Sequence, residues 1–168
     1  MARQDLRQVV EAVYSARGAD VLGDLLRNLV RALRVDYALV SQLVQGKSSR
    51  ARTRCFFVDG KRVQDFEYDL LGGPCENVHG RSACIYNGNV QRIFPDDLGL
   101  QEKNVESYIG IPLFAAGDDP IGIMAVMNRT PLDEPQKVCD LLKVFAARVA
   151  SELDWERREM ALRRSEPG

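Results

Sequence analysis

Residues 120–128, PIGIMAVMN, are apolar on both sides of a segment short enough to be a strand. Successive side chains of a strand point to opposite faces. Ile121, Ile123, Ala125 and Met127 are therefore expected on one side, with Met124 and Val126 on the other. Such a strand cannot lie in a sheet that has one face in water; it needs a covering layer on each side. The turn Gly117-Asp118-Asp119 joins it to another strand at 106–114, ESYIGIPLF, so the two form an antiparallel hairpin. The expected fold class is α+β, an antiparallel sheet with helices on both faces.

The covering helices are readable at both ends. Leu6, Val9, Val10 and Val13 recur at helical spacing until Gly18 interrupts. Asp20 is placed to cap a second helix that carries Leu22, Leu25, Leu26, Leu29 and Leu33 on one face. Residues 37–44 (YALVSQLV) and 51–58 (ARTRCFFV) read as two further strands, turning at Gly46-Lys47-Ser48-Ser49, with Asp59-Gly60 as a hairpin signal after them. A last helix is expected from Glu134 to Arg164, with Asp133 as N-cap, Gln136 as capping-box partner and Pro135 in the first turn. Val138, Leu141, Leu142, Phe145, Val149 and Leu153 form its stripe, and no Pro or Gly intervenes before Pro167. At 1.5 Å per residue it is about 46 Å long, more than one face of a small sheet needs. Its end, with Trp155, Met160 and Leu162 among Arg157, Arg158, Arg163 and Arg164, is expected to protrude.

Between the strand pairs lies an irregular stretch, residues 68–92, YDLLGGPCENVHGRSACIYNGNVQR. It holds four glycines, two of the four cysteines and the single histidine. Phe94-Pro95-Asp96-Asp97 and a short polar helix over 97–104 follow.

In this order of elements the chain resembles a GAF domain. Glu106-Ser107-Tyr108-Ile109-Gly110-Ile111-Pro112-Leu113 and Ile121-Gly122-Ile123-Met124-Ala125-Val126 are similar to the central hairpin of that family. The stretch Tyr68-Asp69-Leu70-Leu71-Gly72-Gly73-Pro74-Cys75-Glu76-Asn77-Val78 resembles a segment of GAF modules in bacterial sensor proteins. The resemblance covers residues 19–153, leaving 1–18 as an N-terminal amphipathic helix and 154–168 as the protruding end of a C-terminal signalling helix. It implies a PAS-related sheet with the N- and C-terminal helices together on one face, and a pocket roofed by the irregular middle on the other. It further implies a homodimer formed through the terminal helices, and a sensory role: a small molecule binds, and the helices relay its presence to a covalently linked or partner output domain. The input module of a two-component sensor histidine kinase is the expected setting. The alternatives are a thiol enzyme of the free methionine sulfoxide reductase type, using Cys75 and Cys84, and a ligand-free interaction module.

Cys75, His79 and Cys84 are the soft donors of the irregular tract, of the kind that bind zinc or haem or form a redox switch. Their spacing lacks the close pairs and fourth ligand of a structural zinc site, and no metal or cofactor is expected. Tyr86, Arg92, Phe94, Ser107 and Tyr108 fall where the family's pocket wall and roof would be, and an arginine beside hydroxyl and aromatic groups suits a carboxylate or phosphate. Cyclic-nucleotide-binding members carry Asn-Lys, then Phe, then Asp-Glu. Here Asn128-Arg129 matches the first pair, while Gln136-Lys137 stands where the acidic pair would fall. No Ser/His/Asp series, GxxxxGK loop or HExxH is present, so no catalytic residue is expected.

Charge excludes one further class. Lys plus Arg number 23 against 24 Asp plus Glu, whereas a nucleic-acid binder normally carries a basic excess. No apolar run reaches the length of a membrane span. The opening MARQDLRQ lacks the apolar core of a secretory signal, and four scattered cysteines do not make a disulfide scaffold. A cytoplasmic protein with reduced thiols is the expectation.

Overall fold

A computed structural model describes residues 3–16, 20–47 and 49–165, with side chains from Arg7 onward. The break expected at Gly18, the turn residue Ser48 and the stop at Pro167 lie outside the described residues.

Two helices open the chain, α1 (Arg3–Ser15) and α2 (Val21–Leu33). The Asp20 carboxylate caps α2 by accepting from the Gly23 amide at 3.2 Å, which satisfies one of the donors every helix start leaves open. Strands β1 (Tyr37–Leu43) and β2 (Arg50–Val58) follow, then the short β3 (Lys61–Arg62) and β4 (Glu67–Asp69). Asp59 and Gly60 both adopt positive φ, 50° and 80°, as a tight two-residue hairpin loop demands. The irregular middle resolves into α3 (Pro74–Val78), β5 (Cys84–Tyr86), α4 (Val90–Ile93) and α5 (Leu98–Glu102). Strands β6 (Ser107–Ala115) and β7 (Asp119–Asn128) and the long helix α6 (Pro135–Ser165) complete the fold.

All strands pair antiparallel in one open sheet of order β3-β2-β1-β7-β6-β5, with β4 also on β2. The fold is α+β, as the doubly apolar strand requires. One face of the sheet packs on α1, α2 and α6 through Val9, Val13, Leu25, Leu26, Leu29, Phe145, Val149 and Leu153, all buried. Arg148 of α6 ties this layer together, donating to the Val13 carbonyl at 3.1 Å and the Ala16 carbonyl at 3.2 Å at the end of α1, where carbonyls lack helical partners. The other face carries Tyr37, Leu39, Phe56, Tyr108, Ile123, Ala125 and Met127 beneath the irregular middle.

Two local expectations are corrected. Ile121 does not share a face with Ile123; it packs with Met124 and Val126 on the helix side. The cause is a bulge: Leu113 pairs with Gly122 and Phe114 with Pro120, which leaves Ile121 unpaired and reverses the alternation there. The last helix starts at Pro135, and the Val138 amide donates to the Glu134 carbonyl, so Glu134 rather than Asp133 occupies the capping position. Gln136 bonds Asp140 one turn on, at 3.0 Å, instead of closing a capping box; proline at the first helical position has no amide to satisfy. Beyond Leu153, the last buried residue of α6, Trp155, Met160 and Leu162 are exposed.

Candidate functional site

Gly110 decides what can happen beneath the irregular middle. A Cβ at this position would come within 2.6 Å of the Tyr108 hydroxyl and 2.8 Å of a Val78 methyl. Without one, the Tyr108 side chain lies along β6 over residue 110, and α3 sits directly on the strand. The Tyr108 hydroxyl thereby reaches 3.0 Å from Cys75 Sγ. The Tyr68 hydroxyl donates to the same sulfur at 3.7 Å and shares a 2.8 Å hydrogen bond with Ser41 Oγ. Burial is the main influence on all three groups. It pushes the Cys75 thiol up to about 11, against the opposing bonds from Tyr108 and Tyr68, and lifts both phenols well above their ordinary range. At neutral pH this is a chain of neutral hydroxyls and a thiol.

Beside it the sheet and its cover do not close on each other. A cavity of about 400 Å³ remains, within the size range of small-molecule sites. Leu39, Phe56, Tyr108 and Met127 form its floor on the sheet, and Phe66, Tyr68, Pro74, Cys75 and Leu100 its sides. Phe66 packs edge-on to Phe56 with ring centroids 5.3 Å apart. At the mouth stand Leu71 and Leu98, 62% and 65% exposed, with Asp69, Asp96, Asp97, Glu102 and Lys103. Asp97 caps α5, its Oδ1 accepting from the Leu100 amide at 3.4 Å. Burial raises its carboxyl above the usual range, while those amide bonds and Lys103 pull the other way.

The family model of the GAF domain matches residues 18–153, a span that takes in α2, the sheet, the helix-and-loop cover over the cavity and α6 as far as Leu153. The chain belongs to the GAF domain family. Among solved structures it is similar to the GAF domain from the Acinetobacter phosphoenolpyruvate-protein phosphotransferase, at 18% identity and a TM-score of 0.69, covering 96% of this chain and 99% of that one. The A. aeolicus nlh2 GAF domain in an inactive state aligns at 13% identity and 0.67, over 92% and 97%. A phycoerythrobilin-bound GAF domain from a cyanobacterial phytochrome aligns at 10% and 0.68, over 94% and 96%. These likenesses concern the fold. No curated protein sequence matches the chain.

In this GAF domain Cys75 and Tyr108 line the cavity, and the other sequence-derived candidates lie outside its lining. Tyr86 stacks edge-on against Phe94, centroids 5.1 Å apart, and accepts a 3.0 Å bond from Asn77, so the pair forms a neighbouring cluster. Ser107 is buried and donates to the Thr130 carbonyl at 2.9 Å. Arg92 is exposed on α4. Cys84 Sγ contacts the Asn77 and Ser82 carbonyls, and all four cysteines are free thiols. His79 is half-buried; burial lowers its pKa, opposed by a bond to the Gly122 backbone. Its Nδ1 is buried without a partner. Among the described residues no three His, Cys, Asp or Glu side chains are placed to hold a metal, and no helix is long and apolar enough to cross a membrane. Asn128 and Arg129 act at the strand ends instead: Asn128 Oδ1 accepts from the Asp36 amide at 2.7 Å, and Arg129 pairs with Asp59 while lying 4.8 Å from the Tyr37 ring centre.

Leu39, Phe56, Phe66, Asp97, Lys103 and Met127 line the cavity without being among the site residues expected from the sequence. The signal for the floor is register: Leu39 pairs with Phe56, and Tyr37 with Met127, so one face is fixed once one pairing is known.

Proposed function

We propose that this GAF domain is a cytoplasmic sensory module: a small molecule binds in the cavity between the sheet and its cover, and the bound state biases how the terminal helices pair in a homodimer. A linked or partner output domain reads that pairing, and the sensor histidine kinase of a two-component system is the setting we favour. The cavity of about 400 Å³ with aromatic walls carries the reading. It lies across the sheet from α1, α2 and α6, so the strands that floor it, β1, β2, β6 and β7, also support the helices. Exposed Tyr14 on α1 and Trp155, Met160 and Leu162 on α6 supply apolar surface for a partner copy. A ligand moves such an equilibrium only by its difference in affinity between the two arrangements.

The thiol-enzyme alternative draws less support. The thiolate is the nucleophile in such chemistry, and burial keeps Cys75 protonated at neutral pH. Native mass spectrometry of protein purified from its own cells, with light scattering on the full chain and on a version ending at Leu153, tests the proposal. A retained small molecule and a dimer that weakens on truncation support it. A monomer in both forms removes helix pairing, and turnover of free methionine sulfoxide that is lost in Cys84→Ser would replace the sensory reading with the enzymatic one.

A further inference from the structure

We infer that the cavity takes an organic cation, a compact aromatic or apolar body bearing an ammonium or amidinium group, which replaces the Lys103 ammonium on the aromatic wall. The inference rests on the cavity reading above and names its ligand class.

The wall already holds a cation. Lys103 Nζ lies 5.3 Å from the Phe66 ring centre and 6.0 Å from that of Phe56, the geometry in which a ring face attracts positive charge. The residue is anchored by its backbone, whose carbonyl accepts from the Tyr37 hydroxyl at 2.7 Å, so displacing the ammonium on its flexible four-carbon stem need not break that anchor. Four carboxylates, Asp69, Asp96, Asp97 and Glu102, line the same cavity, and among the described residues that line it Lys103 is the single cation. An anionic ligand would meet that excess of negative charge with one ammonium, already beside Asp97, to receive it. A cationic ligand meets the opposite field.

Asp97 is the group placed to gain most. Exposed Asp69, Asp96 and Glu102 act through screened water and chiefly steer. Asp97 is partly buried, its carboxylate poorly solvated, and a cation arriving beside it restores what burial removes. Exposed Leu71 and Leu98 at the mouth give the apolar body of the ligand two side chains to cover.

Three probes of one shape separate the possibilities: 2-naphthylmethylammonium, 2-naphthylmethanol and 2-naphthoate, titrated into the full chain at neutral pH by calorimetry. The ammonium probe is expected to bind at least about tenfold tighter than the carboxylate, with the gap narrowing as salt rises from about 0.02 to 0.5 M. Asp97→Asn, which keeps an oxygen for the Leu100 amide, should weaken the ammonium probe about fivefold, and Lys103→Met should tighten it about threefold. Circular dichroism on both variants confirms that they are folded. If the alcohol binds and the ammonium probe is not preferred, the cavity reading stands and this inference falls. Tighter naphthoate that is lost in Lys103→Met assigns an anion site and overturns it. If none of the three binds, the cavity reading fails and takes this one with it.

Discussion

Gly122 sets how closely β1 and β7 approach, and Gly122→Ala is the sharpest perturbation of the layer on which the cavity rests. Gly122 pairs with Gln42 across the sheet. A Cβ there would land on the Ser41 carbonyl oxygen, with Ser41 C at 3.2 Å and Gln42 Cα at 3.3 Å behind it. All three are main-chain atoms, so no side-chain rotation relieves the overlap. Restoring an ordinary C···O contact of about 3.3 Å requires the strands to part locally by about 1 Å. Overpacking of this kind costs about 1–3 kcal/mol, and a weakened backbone hydrogen bond about 1 kcal/mol more. The expected loss is therefore about 2–4 kcal/mol, which in a domain of this size lowers Tm by roughly 5–15 °C. The cover is affected as well, because His79 is bonded to the Gly122 backbone. Gly46→Ala is the matched control: its φ is +82° with nothing within 4 Å of a new Cβ, so it bears only left-handed strain, about 1–2 kcal/mol. Urea unfolding followed by circular dichroism, with calorimetry for Tm, measures both. If Gly122→Ala is no less stable than Gly46→Ala, strand spacing is not held by this contact and the reasoning is refuted.

Other predictions follow the titrating groups. Asp97 has a raised folded-state pKa, so the stability it contributes is full below its ordinary 3.8 and lost as pH rises through the folded value. Asp97→Asn should gain on the wild type over that window, and a wild type that gains on Asn in thermal melts across it would contradict the burial argument. His79 is shifted the other way: its contribution is present above its ordinary 6.5 and lost as pH falls through the lower folded value. His79→Gln should flatten that acid-side loss of Tm, and an unchanged slope would show that another group causes it. With its thiol near 11, Cys75 is only about 0.1% thiolate at pH 8, so iodoacetamide mapping should find it modified after the more exposed Cys84; the reverse order would mean that the hydroxyl chain beneath α3 is open to solvent.

The scaffold was legible where local chemistry and global fold agree. Asp20, Asp59-Gly60 and the doubly apolar β7 each state a requirement that the fold then meets. Ile121 was not legible, because the bulge arises from how its neighbours Gly122 and Pro120 pair with Leu113 and Phe114, residues outside its own strand. Strands β4 and β5, of three residues each, are too short to show a period. The cavity was read only at Cys75 and Tyr108, since motif and resemblance point to the tract around them. Its other walls come from β1, β2, β7 and the segment around α5, which meet only after folding. Lys103 and Asp97 look like solvated charges on a short polar helix; their meaning depends on Phe56 and Phe66, some 40 positions earlier in the chain.

The central requirement is a ligand-accepting hollow whose occupancy is felt across the sheet. Amide chemical-shift mapping with 2-naphthylmethanol, a neutral probe that does not depend on the charge argument, tests this directly. Shifts centred on Leu39, Phe56, Phe66, Tyr108 and Met127, with a second set along α6, are the predicted result. A folded protein whose shifts appear only on the outer faces of α1 and α6, or nowhere at saturating probe, would contradict it.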